Sequence, residues 1–370
     1  MKKKYDYLIV GAGLFGATCA YELTKAGFSV LVIEKRDHIG GNVFTKNDRG
    51  INVHVYGPHI FHTDNKVIWD YVNQFSKFND FVNSPLANYH GEIYHLPFNM
   101  NTFCELWPDV KTSEDAEKHI EEEKQKFNIT EPKNLEEQAI SLVGETIFRK
   151  LIKEYTEKQW GKSCRELPPS IIKRIPVRFT FDNNYFTDPY QGIPIGGYTA
   201  IIGKMLAKSD VLLNTDFLNE KDKYLSIAKK IIYTGMIDEF FDYKFGSLDY
   251  RSLRFETEFL DIPSYQGNAV VNYTSHEKPF TRIVEHKFFE FGQQTCTIIS
   301  REYPDKFEQG KIPYYTINDE KNNFLLKKYQ SEAQKYQNIY FGGRLGSYRY
   351  YDMDDVIMEA LALTKELING

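Results

Sequence analysis

The sequence predicts an α/β protein that combines a parallel-sheet domain with an inserted helical subdomain and a domain built on an antiparallel sheet. Three observations predict this fold class. Residues 5–42 contain a strand, a glycine-rich turn, a helix and a second strand in immediate succession. Residues 114–155 are charged and amphipathic with helical periodicity. Residues 250–316 alternate between apolar and polar side chains, as the strands of an antiparallel sheet do.

The first of these stretches carries a nucleotide-binding motif. A β-rich apolar run over Tyr5–Val10 leads directly into Gly11-Ala12-Gly13-Leu14-Phe15-Gly16, which opens a helix that ends near Gly27. A G-x-G-x-x-G turn between a strand and a helix is the Rossmann fingerprint, because the helix N-terminus attracts a pyrophosphate. The second strand ends at Glu34, where a carboxylate accepts hydrogen bonds from ribose hydroxyls. The stretch therefore predicts a Rossmann-like dinucleotide-binding domain.

The residues after Glu34 favour one dinucleotide. Lys35-Arg36 follow the acid, and Gly40-Gly41-Asn42 come shortly afterwards, where glycines allow the backbone to run close to an extended ligand. This pattern resembles the FAD-binding domain of the amine-oxidase-like flavoproteins. The chain contains no second G-x-G-x-x-G for NADPH, which argues against a reductase that uses two dinucleotides.

Composition sets the broad class. The 370 residues are 42% hydrophobic and 26% charged, with a formal net charge of −5, as expected for a soluble globular protein. The negative charge argues against a nucleic-acid partner or an anionic-membrane binder. A run of Lys2 to Lys4 before an uncharged stretch imitates a secretory signal, but Asp6 and the fingerprint glycines contradict it. With no apolar run of ~20 residues, we expect no membrane span and a cytoplasmic location.

Cysteine and histidine spacing gives no metal site. The four cysteines, Cys19, Cys104, Cys164 and Cys296, form no C-x-x-C pair, so we expect reduced thiols. His59 and His62 form a lone H-x-x-H in a loop-like stretch, which is weak support for a metal. The sequence predicts none.

The rest of the chain divides by pattern. We expect the FAD-binding domain to comprise residues 1–82, 195–245 and 325–370, with a helical subdomain over 100–166. Residues 83–99, 167–194 and 246–324 are expected to form the antiparallel sheet and substrate domain. Within it, prolines at 168, 169 and 176 bracket Lys173-Arg174. This proline-rich segment predicts either a mobile loop over 167–177 or a linker between domains.

The sequence predicts three further helices. Amphipathic periodicity predicts helices over Glu114–Phe127 and Leu135–Tyr155. A strand at Ile339–Phe341, two glycines and a helix from about Asp354 to Ile368 place a second helix N-terminus in the nucleotide domain. In the flavoprotein arrangement this N-terminus points at the flavin ring, while Asp352 either contributes to the site or caps the helix.

Five stretches together resemble one family. They are YTEKQWG (155–161), KRIPVRF (173–179), DNNYF (182–186), FTRIVEHK (280–287) and GRLGSYRYYDMD (343–354), and they resemble UDP-galactopyranose mutase. The resemblance extends from the fingerprint to the last helix. It implies an isomerase of polysaccharide biosynthesis that interconverts UDP-galactopyranose and UDP-galactofuranose without net redox change. Its cofactor would be reduced FAD, whose N5 attacks the anomeric carbon and expels UDP.

The resemblance also implies roles for individual residues. Arg174 and Arg282 would hold the diphosphate, as guanidinium groups suit phosphates, and His59 would lie near flavin N5; these three are the expected catalytic residues. The uridine would be bound by Tyr155, Thr156 and Trp160, the phosphates by Tyr185, Tyr315 and Tyr350, and the sugar by Asn83, Asn272 and Asp352. The expected cofactor-binding residues are Gly11, Gly13, Phe15, Gly16, Glu34, Lys35, Gly41, Asn42, His59, Ile60, Arg344, Tyr350, Asp352 and Met353.

Two departures leave the sugar open. Thr316 stands where the family commonly has Pro, and Leu151, on the uridine-facing helix, stands where it commonly has Phe. UDP-N-acetylgalactosamine is therefore an alternative or additional substrate. An amine-oxidase-type FAD oxidoreductase is a competing interpretation, which the paired arginines disfavour, and a non-catalytic nucleotide-binding scaffold is another. By analogy with the family we expect a homodimer and an external reductant.

Overall fold

The structure of the protein is a computed structural model that describes residues 4–172 and 175–370. Its strands are β1 (Tyr5–Val10), β2 (Val30–Ile33), β3 (Thr45–Asp48), β4 (Ile51–His54), β5 (Phe61–Thr63), β6 (Leu86–Tyr89), β7 (Glu92–His95), β8 (Tyr190–Gly192), β9 (Asp210–Leu212), β10 (Ala228–Tyr233), β11 (Tyr250–Leu260), β12 (Val270–Tyr273), β13 (Arg282–Glu285), β14 (Thr297–Lys306), β15 (Tyr315–Thr316) and β16 (Ile339–Phe341).

The α-helices of the described residues are α1 (Leu14–Lys25), α2 (Lys66–Asn73), α3 (Met100–Leu106), α4 (Ser113–Phe127), α5 (Leu135–Ile147), α6 (Glu154–Trp160), α7 (Tyr198–Leu206), α8 (Lys221–Ile227), α9 (Ile237–Phe240), α10 (Glu320–Ala333), α11 (Gly343–Gly346) and α12 (Met353–Asn369). A π-helix, Phe148–Lys153, joins α5 to α6. No helix among the described residues combines the length and the apolar character needed to cross a membrane.

The chain forms two compact units. Unit 1 comprises residues 1–80, 188–252 and 306–370, and unit 2 comprises residues 81–187 and 253–305. Unit 1 contains a parallel five-stranded sheet with the order β16-β10-β1-β2-β9. The parallel sheet confirms the α/β class predicted from the βαβ stretch.

Both faces of the parallel sheet are buried. Side chains of β1 belong to two hydrophobic clusters: Tyr7 and Ile9 contribute to one, and Leu8, which points the opposite way by strand alternation, contributes to the other. Helices α1, α7 and α12 supply the cluster around Ile9, while residues of α9 and α10 contribute to the second. A parallel strand covered on both faces is apolar throughout, which is why this run was legible in the sequence.

Unit 2 contains a mostly antiparallel sheet and a helical cluster. The strands lie in the order β11-β14-β13-β12-β6-β7, and β11 begins in unit 1, where Tyr250 and Arg251 pair with β15. The expected antiparallel pattern has one exception, since β12 pairs with β6 in parallel. These two strands are far apart in sequence, so no hairpin constrains them to run in opposite directions.

The predicted continuous helix over residues 135–155 is wrong. Gly144 has non-helical backbone angles with φ +81°, and the chain passes from α5 through the π-helix to α6. The buried Glu123 carboxylate accepts hydrogen bonds from the backbone N–H and the hydroxyl of Thr146. A Cβ at Gly144 would lie 2.7 Å from Glu123 Oε2, so the break depends on glycine.

The FTRIVEHK stretch contains buried polar residues that hold unit 2 together. Glu285 accepts hydrogen bonds from the backbone N–H groups of Tyr265 and Gln266, at 2.9 and 2.8 Å. His286 Nε2 lies 2.7 Å from Ser300 Oγ, and burial lowers the pKa of this imidazole to about 3. Glu285 and His286 therefore have structural roles within this motif.

We predict that His286 makes the protein less stable in acid. In the unfolded chain its pKa is near the ordinary 6.5, whereas in the folded chain it is about 3. The unfolded state therefore takes up a proton first, and the free energy of unfolding falls as pH decreases from 6.5 towards 3, by up to about 1.4 kcal/mol per pH unit. Urea unfolding at pH 7.5 and 5.0 measures this, and His286→Gln should reduce the difference. An unchanged pH dependence in His286→Gln would contradict the prediction.

Candidate nucleotide pocket and cationic row

A cavity of about 240 Å³ lies at the carboxyl ends of the parallel strands of unit 1. Its wall is formed by the fingerprint turn, the end of β2, the segment after it and the start of α12. Ligands of open α/β sheets bind at this edge. The predicted residues in the wall are Gly11, Gly13, Phe15, Gly16, Glu34, Lys35, Gly41, Asn42, His59, Arg344 and Met353, whereas Ile60, Tyr350 and Asp352 do not line it.

Glycines shape this wall. Gly11 has φ +106°, and a Cβ there would lie 2.1 Å from Thr234 Oγ1. Gly41 has φ +54°, and its Cβ would lie 2.9 Å from Gly13 Cα, so the fingerprint turn and the Gly40-Gly41 turn meet backbone to backbone. This contact depends on the missing side chain of Gly41, whereas a Cβ at Gly13 would lie an ordinary 3.8 Å from Gly41 Cα.

Glu34 has a structural role besides its expected one. Its buried carboxylate accepts hydrogen bonds from the backbone N–H of Ala12 at 2.9 Å and of Arg36 at 3.0 Å. Each carboxylate oxygen has a second lone pair, so a ribose can still be bound. Glu34 thereby also fixes the fingerprint turn.

His59 is neutral in the pocket. Its Nδ1 lies 2.8 Å from the carbonyl oxygen of Gly57, which only accepts, so Nδ1 carries the proton and Nε2 is an acceptor. Burial, opposed by the hydrogen bond to Gly57 and reinforced by the positive charge of Arg344, lowers the pKa of His59 to about 4. Arg344 is held by the carbonyl oxygen of Tyr351, at 2.7 Å from Nε. His59 can accept a hydrogen bond from a ligand at neutral pH but cannot serve as an acid.

Tyr350 lies beside Arg344, and Tyr315 lies beside Tyr350. The Arg344 guanidinium lies 4.9 Å from the ring centroid of Tyr350, and the rings of Tyr350 and Tyr315 are 6.0 Å apart. Asp352 is at the N-cap of α12 but makes no side-chain cap hydrogen bond. Helix capping is therefore not what its carboxylate does in this structure.

Unit 2 presents a polar row across three strands. Asn272, Arg282 and Glu302 are directly opposite one another on β12, β13 and β14. Arg282 Nε lies 3.1 Å from Glu302 Oε1, and the Glu302 side chain is only 5% exposed. The charge of this buried carboxylate makes the cation costly to remove from the row.

Helix α6 reaches the same row. Tyr155 Oη accepts a hydrogen bond from Arg282 Nη2 at 3.3 Å. Burial raises the pKa of Tyr155, which Arg282 partly opposes, so the phenol keeps its proton. Thr156 is buried, Trp160 packs against the helical cluster, and Leu151 lies inside that cluster. Asn83 is buried, and its carbonyl oxygen accepts a hydrogen bond from the Tyr185 N–H at 2.7 Å.

Sequence reasoning missed several wall residues and one partner. Glu302 carries no motif, and only the register of β13 and β14 places it against Arg282. Thr234, Glu239 and Tyr314 also line the cavity and are not among the site residues expected from sequence. Arg174, expected to bind the diphosphate, lies outside the described residues. The described residues contain no group of three His, Cys, Asp or Glu side chains placed to hold a metal ion.

Comparison with known proteins decides the family. The UDP-galactopyranose mutase family profile matches residues 150–350, and a profile for NAD(P)-binding Rossmann-like domains matches residues 9–75. A probable UDP-galactopyranose mutase of Klebsiella pneumoniae is 41% identical over 99% of this chain and 95% of its own length. This chain belongs to the UDP-galactopyranose mutase family.

Two further relatives define the range of the family. A dTDP-fucopyranose mutase of Escherichia coli is 38% identical over 96% of both chains. A crystal structure of reduced UDP-galactopyranose mutase matches the fold with a TM-score of 0.74 at 16% identity, covering 99% of this chain and 96% of that one. The family thus contains mutases named for different nucleotide sugars.

We predict that Gly41→Ala weakens dinucleotide binding. The added methyl would lie 2.9 Å from Gly13 Cα at a positive φ, so the two turns must separate. Strain of 1–3 kcal/mol corresponds to at least about a fivefold loss of affinity, measured by titrating apoprotein with FAD and following flavin fluorescence.

The matched control for Gly41→Ala is Gly161→Ala. Gly161 has a similar φ of +65°, but nothing lies within 4 Å of a Cβ there. The control has comparable backbone strain and should bind FAD as the wild type does. Equal losses in the two variants would show that the Gly13–Gly41 contact has no special role.

Proposed function

We propose that this protein interconverts UDP-galactopyranose and UDP-galactofuranose, with FAD in its reduced form bound in the pocket of unit 1. The observation that carries this proposal is the fixed Arg282 in a chain whose other unit holds a dinucleotide pocket. An amine-oxidase-type enzyme has no need for a guanidinium held in this way. The family membership supports the same function.

The residues of the pocket fit a flavin dinucleotide. The N-terminus of α1 and the fingerprint turn supply backbone N–H groups for a pyrophosphate, and Glu34 supplies a carboxylate for a ribose. When bound, reduced FAD supplies a nucleophilic N5 for the anomeric carbon. His59 would accept a hydrogen bond at the flavin edge, since its Nε2 is unprotonated at neutral pH.

Arg282 would stabilise the leaving group. Negative charge accumulates on the diphosphate as the bond from the anomeric carbon to the phosphate oxygen breaks, and a cation already in place stabilises that charge without reorganisation. Glu302 keeps the guanidinium oriented, and Tyr155 supplies a protonated hydroxyl beside it. The reaction is an isomerisation, so atoms and electrons of the sugar nucleotide are conserved.

The other assignments remain proposals. Thr156 and Trp160 are proposed for the uridine, and Asn83, Tyr185, Asn272, Tyr315, Tyr350 and Asp352 for the phosphates and the sugar. The enzyme is further proposed to act in the cytoplasm as a homodimer supplied by an external reductant. These statements rest on the family resemblance.

A second substrate class has a specific observation in its favour. The 38% identical relative is named a dTDP-fucopyranose mutase, so a deoxythymidine diphosphate sugar is an alternative substrate for the same chemistry. UDP-N-acetylgalactosamine is the other alternative, because Leu151 and Thr316 leave the sugar unspecified. Each can be offered to the enzyme in the same assay.

We predict turnover only when the flavin is reduced. The purified protein is incubated with UDP-galactofuranose, with and without dithionite, and the sugar nucleotides are separated by chromatography. The pyranose form should accumulate only in the reduced sample, because N5 of oxidised flavin is not nucleophilic. A protein that holds FAD but converts none of the three nucleotide sugars would exclude the mutase function.

We predict that Arg282→Lys lowers kcat/KM by at least about 100-fold, because an ammonium cannot offer a phosphate the planar, bidentate contact of a guanidinium. Arg301→Lys is the control. Arg301 is adjacent to Glu302 on β14 but pairs with Glu258 at 2.7 Å and, by strand alternation, lies on the opposite face. Its activity should stay within about threefold of wild type, and similar losses in both variants would contradict the role of Arg282.

A further inference from the structure

Lys158 belongs to the YTEKQWG stretch but has a different environment from the residues expected to bind uridine. Its ammonium donates to four backbone carbonyl oxygens, of Tyr273, Ser275, Phe280 and Lys278, at 2.6, 2.8, 2.9 and 3.1 Å. Tyr273 is the last residue of β12, and the other three belong to the connection between β12 and β13. An ammonium has three N–H donors, so this contact uses its whole capacity.

The contact is partly removed from water. Burial lowers the pKa of Lys158 to about 8, and the negative charge of Glu154 opposes this shift. Two further contacts join α6 to the β12–β13 connection. The His276 N–H donates to Glu154, and His276 Nε2 lies 3.2 Å from Glu157 Oε2. Glu154, Glu157 and His276 are the titratable groups in these contacts, and Glu277 and Lys278, which pair with each other at 3.1 Å, lie on the same connection.

The connection held by Lys158 is flanked by two predicted site residues. Asn272 directly precedes Tyr273, Arg282 follows Phe280 by two positions, and the two residues are paired across β12 and β13. Arg282 in turn donates to Tyr155, which lies on the same helix as Lys158. Helix α6 therefore contacts the β12–β13 connection through Lys158 and the Arg282 side chain through Tyr155.

We propose that Lys158 is a positioning residue, which holds the β12–β13 connection against α6 so that Arg282 stays at its distance from Tyr155 and can bind the diphosphate of the nucleotide sugar. This rests on the proposed function for the role of Arg282. The alternative is that Lys158 only stabilises the fold, in which case its loss would not affect diphosphate binding.

The proposal predicts a pH dependence that the lysine alone controls. Above pH 8 the ammonium loses a proton, and two N–H donors remain for four carbonyl oxygens. The Kd of UDP should therefore rise in the wild type between pH 7 and 8.5, a range in which the uracil ring of UDP keeps its proton. Lys158→Arg keeps its charge over this range, so its Kd should stay constant with pH. Lys158→Met should bind UDP about tenfold or more weakly at every pH.

Lys287→Met is the matched control. The Lys287 ammonium also contacts backbone carbonyl oxygens in unit 2, of Pro263, Gln294 and Cys296, at 2.8, 2.6 and 3.5 Å. None of these belongs to the β12–β13 connection. Lys287→Met should lower stability but leave UDP affinity and its pH dependence unchanged.

The experiment is equilibrium binding of UDP to the full-length proteins from pH 7 to 8.5, together with hydrogen exchange of the backbone amides of residues 273–281. Faster exchange there in Lys158→Met, but not in Lys287→Met, supports the proposal. Unchanged UDP affinity in Lys158→Met, equal losses in both variants, or a pH dependence that persists in Lys158→Arg would overturn it. A wild-type protein that binds no UDP at any pH would instead contradict the proposed function.

Discussion

The fold of unit 1 depends on the approach of two backbone turns, at Gly13 and at Gly41. Their closeness is possible because residue 41 has no side chain, and the Glu34 carboxylate links the first turn to the segment that leads to the second. Backbone N–H groups that would otherwise be buried without partners are satisfied there by an anion. The same arrangement leaves the N-terminus of α1 facing a cavity, so the requirement for polar satisfaction and the capacity to bind a dinucleotide have one physical origin.

Unit 2 holds a positive charge, the Arg282 guanidinium, beside a buried carboxylate. A guanidinium is mobile on its long side chain unless its donors are engaged, and burial of Glu302 beside it makes the pair costly to separate. Tyr155 and Lys158 add contacts from a short helix that follows a π-helix. The charge is thus oriented by a strand, a carboxylate and a helix, which is the preorganisation that electrostatic stabilisation of a leaving group requires.

How much of this could be predicted from sequence depended on how local the signal was. The β1–α1–β2 stretch was legible because apolar strands, fingerprint glycines and a terminal acid all lie within one window. The short motifs that contain Arg282 and Tyr155 indicated the family of the protein. Glu302 was not, because only strand register brings it to Arg282, and the break at Gly144 was hidden because Glu123, which faces it, lies on another helix. His286 and Lys287 belong to a stretch that indicated the family, and the structure explains them by burial and by carbonyl contacts.

The order of the segments along the chain has a consequence for how the protein is made. Strand β1 pairs with β10, and Tyr5 meets Ala228, so the central pair of the parallel sheet forms only after most of the chain has been synthesised. The sheet is completed by β16, and the cavity wall includes Met353 and Val356 of the last helix. On the ribosome, β1 therefore stays without its partner β10, and its apolar edge stays exposed, until that part of the chain has been synthesised. Such a state favours aggregation. A chain shortened by its final helix would lose part of the nucleotide pocket together with one cover of the sheet, so cofactor loading and completion of the fold become the same late event.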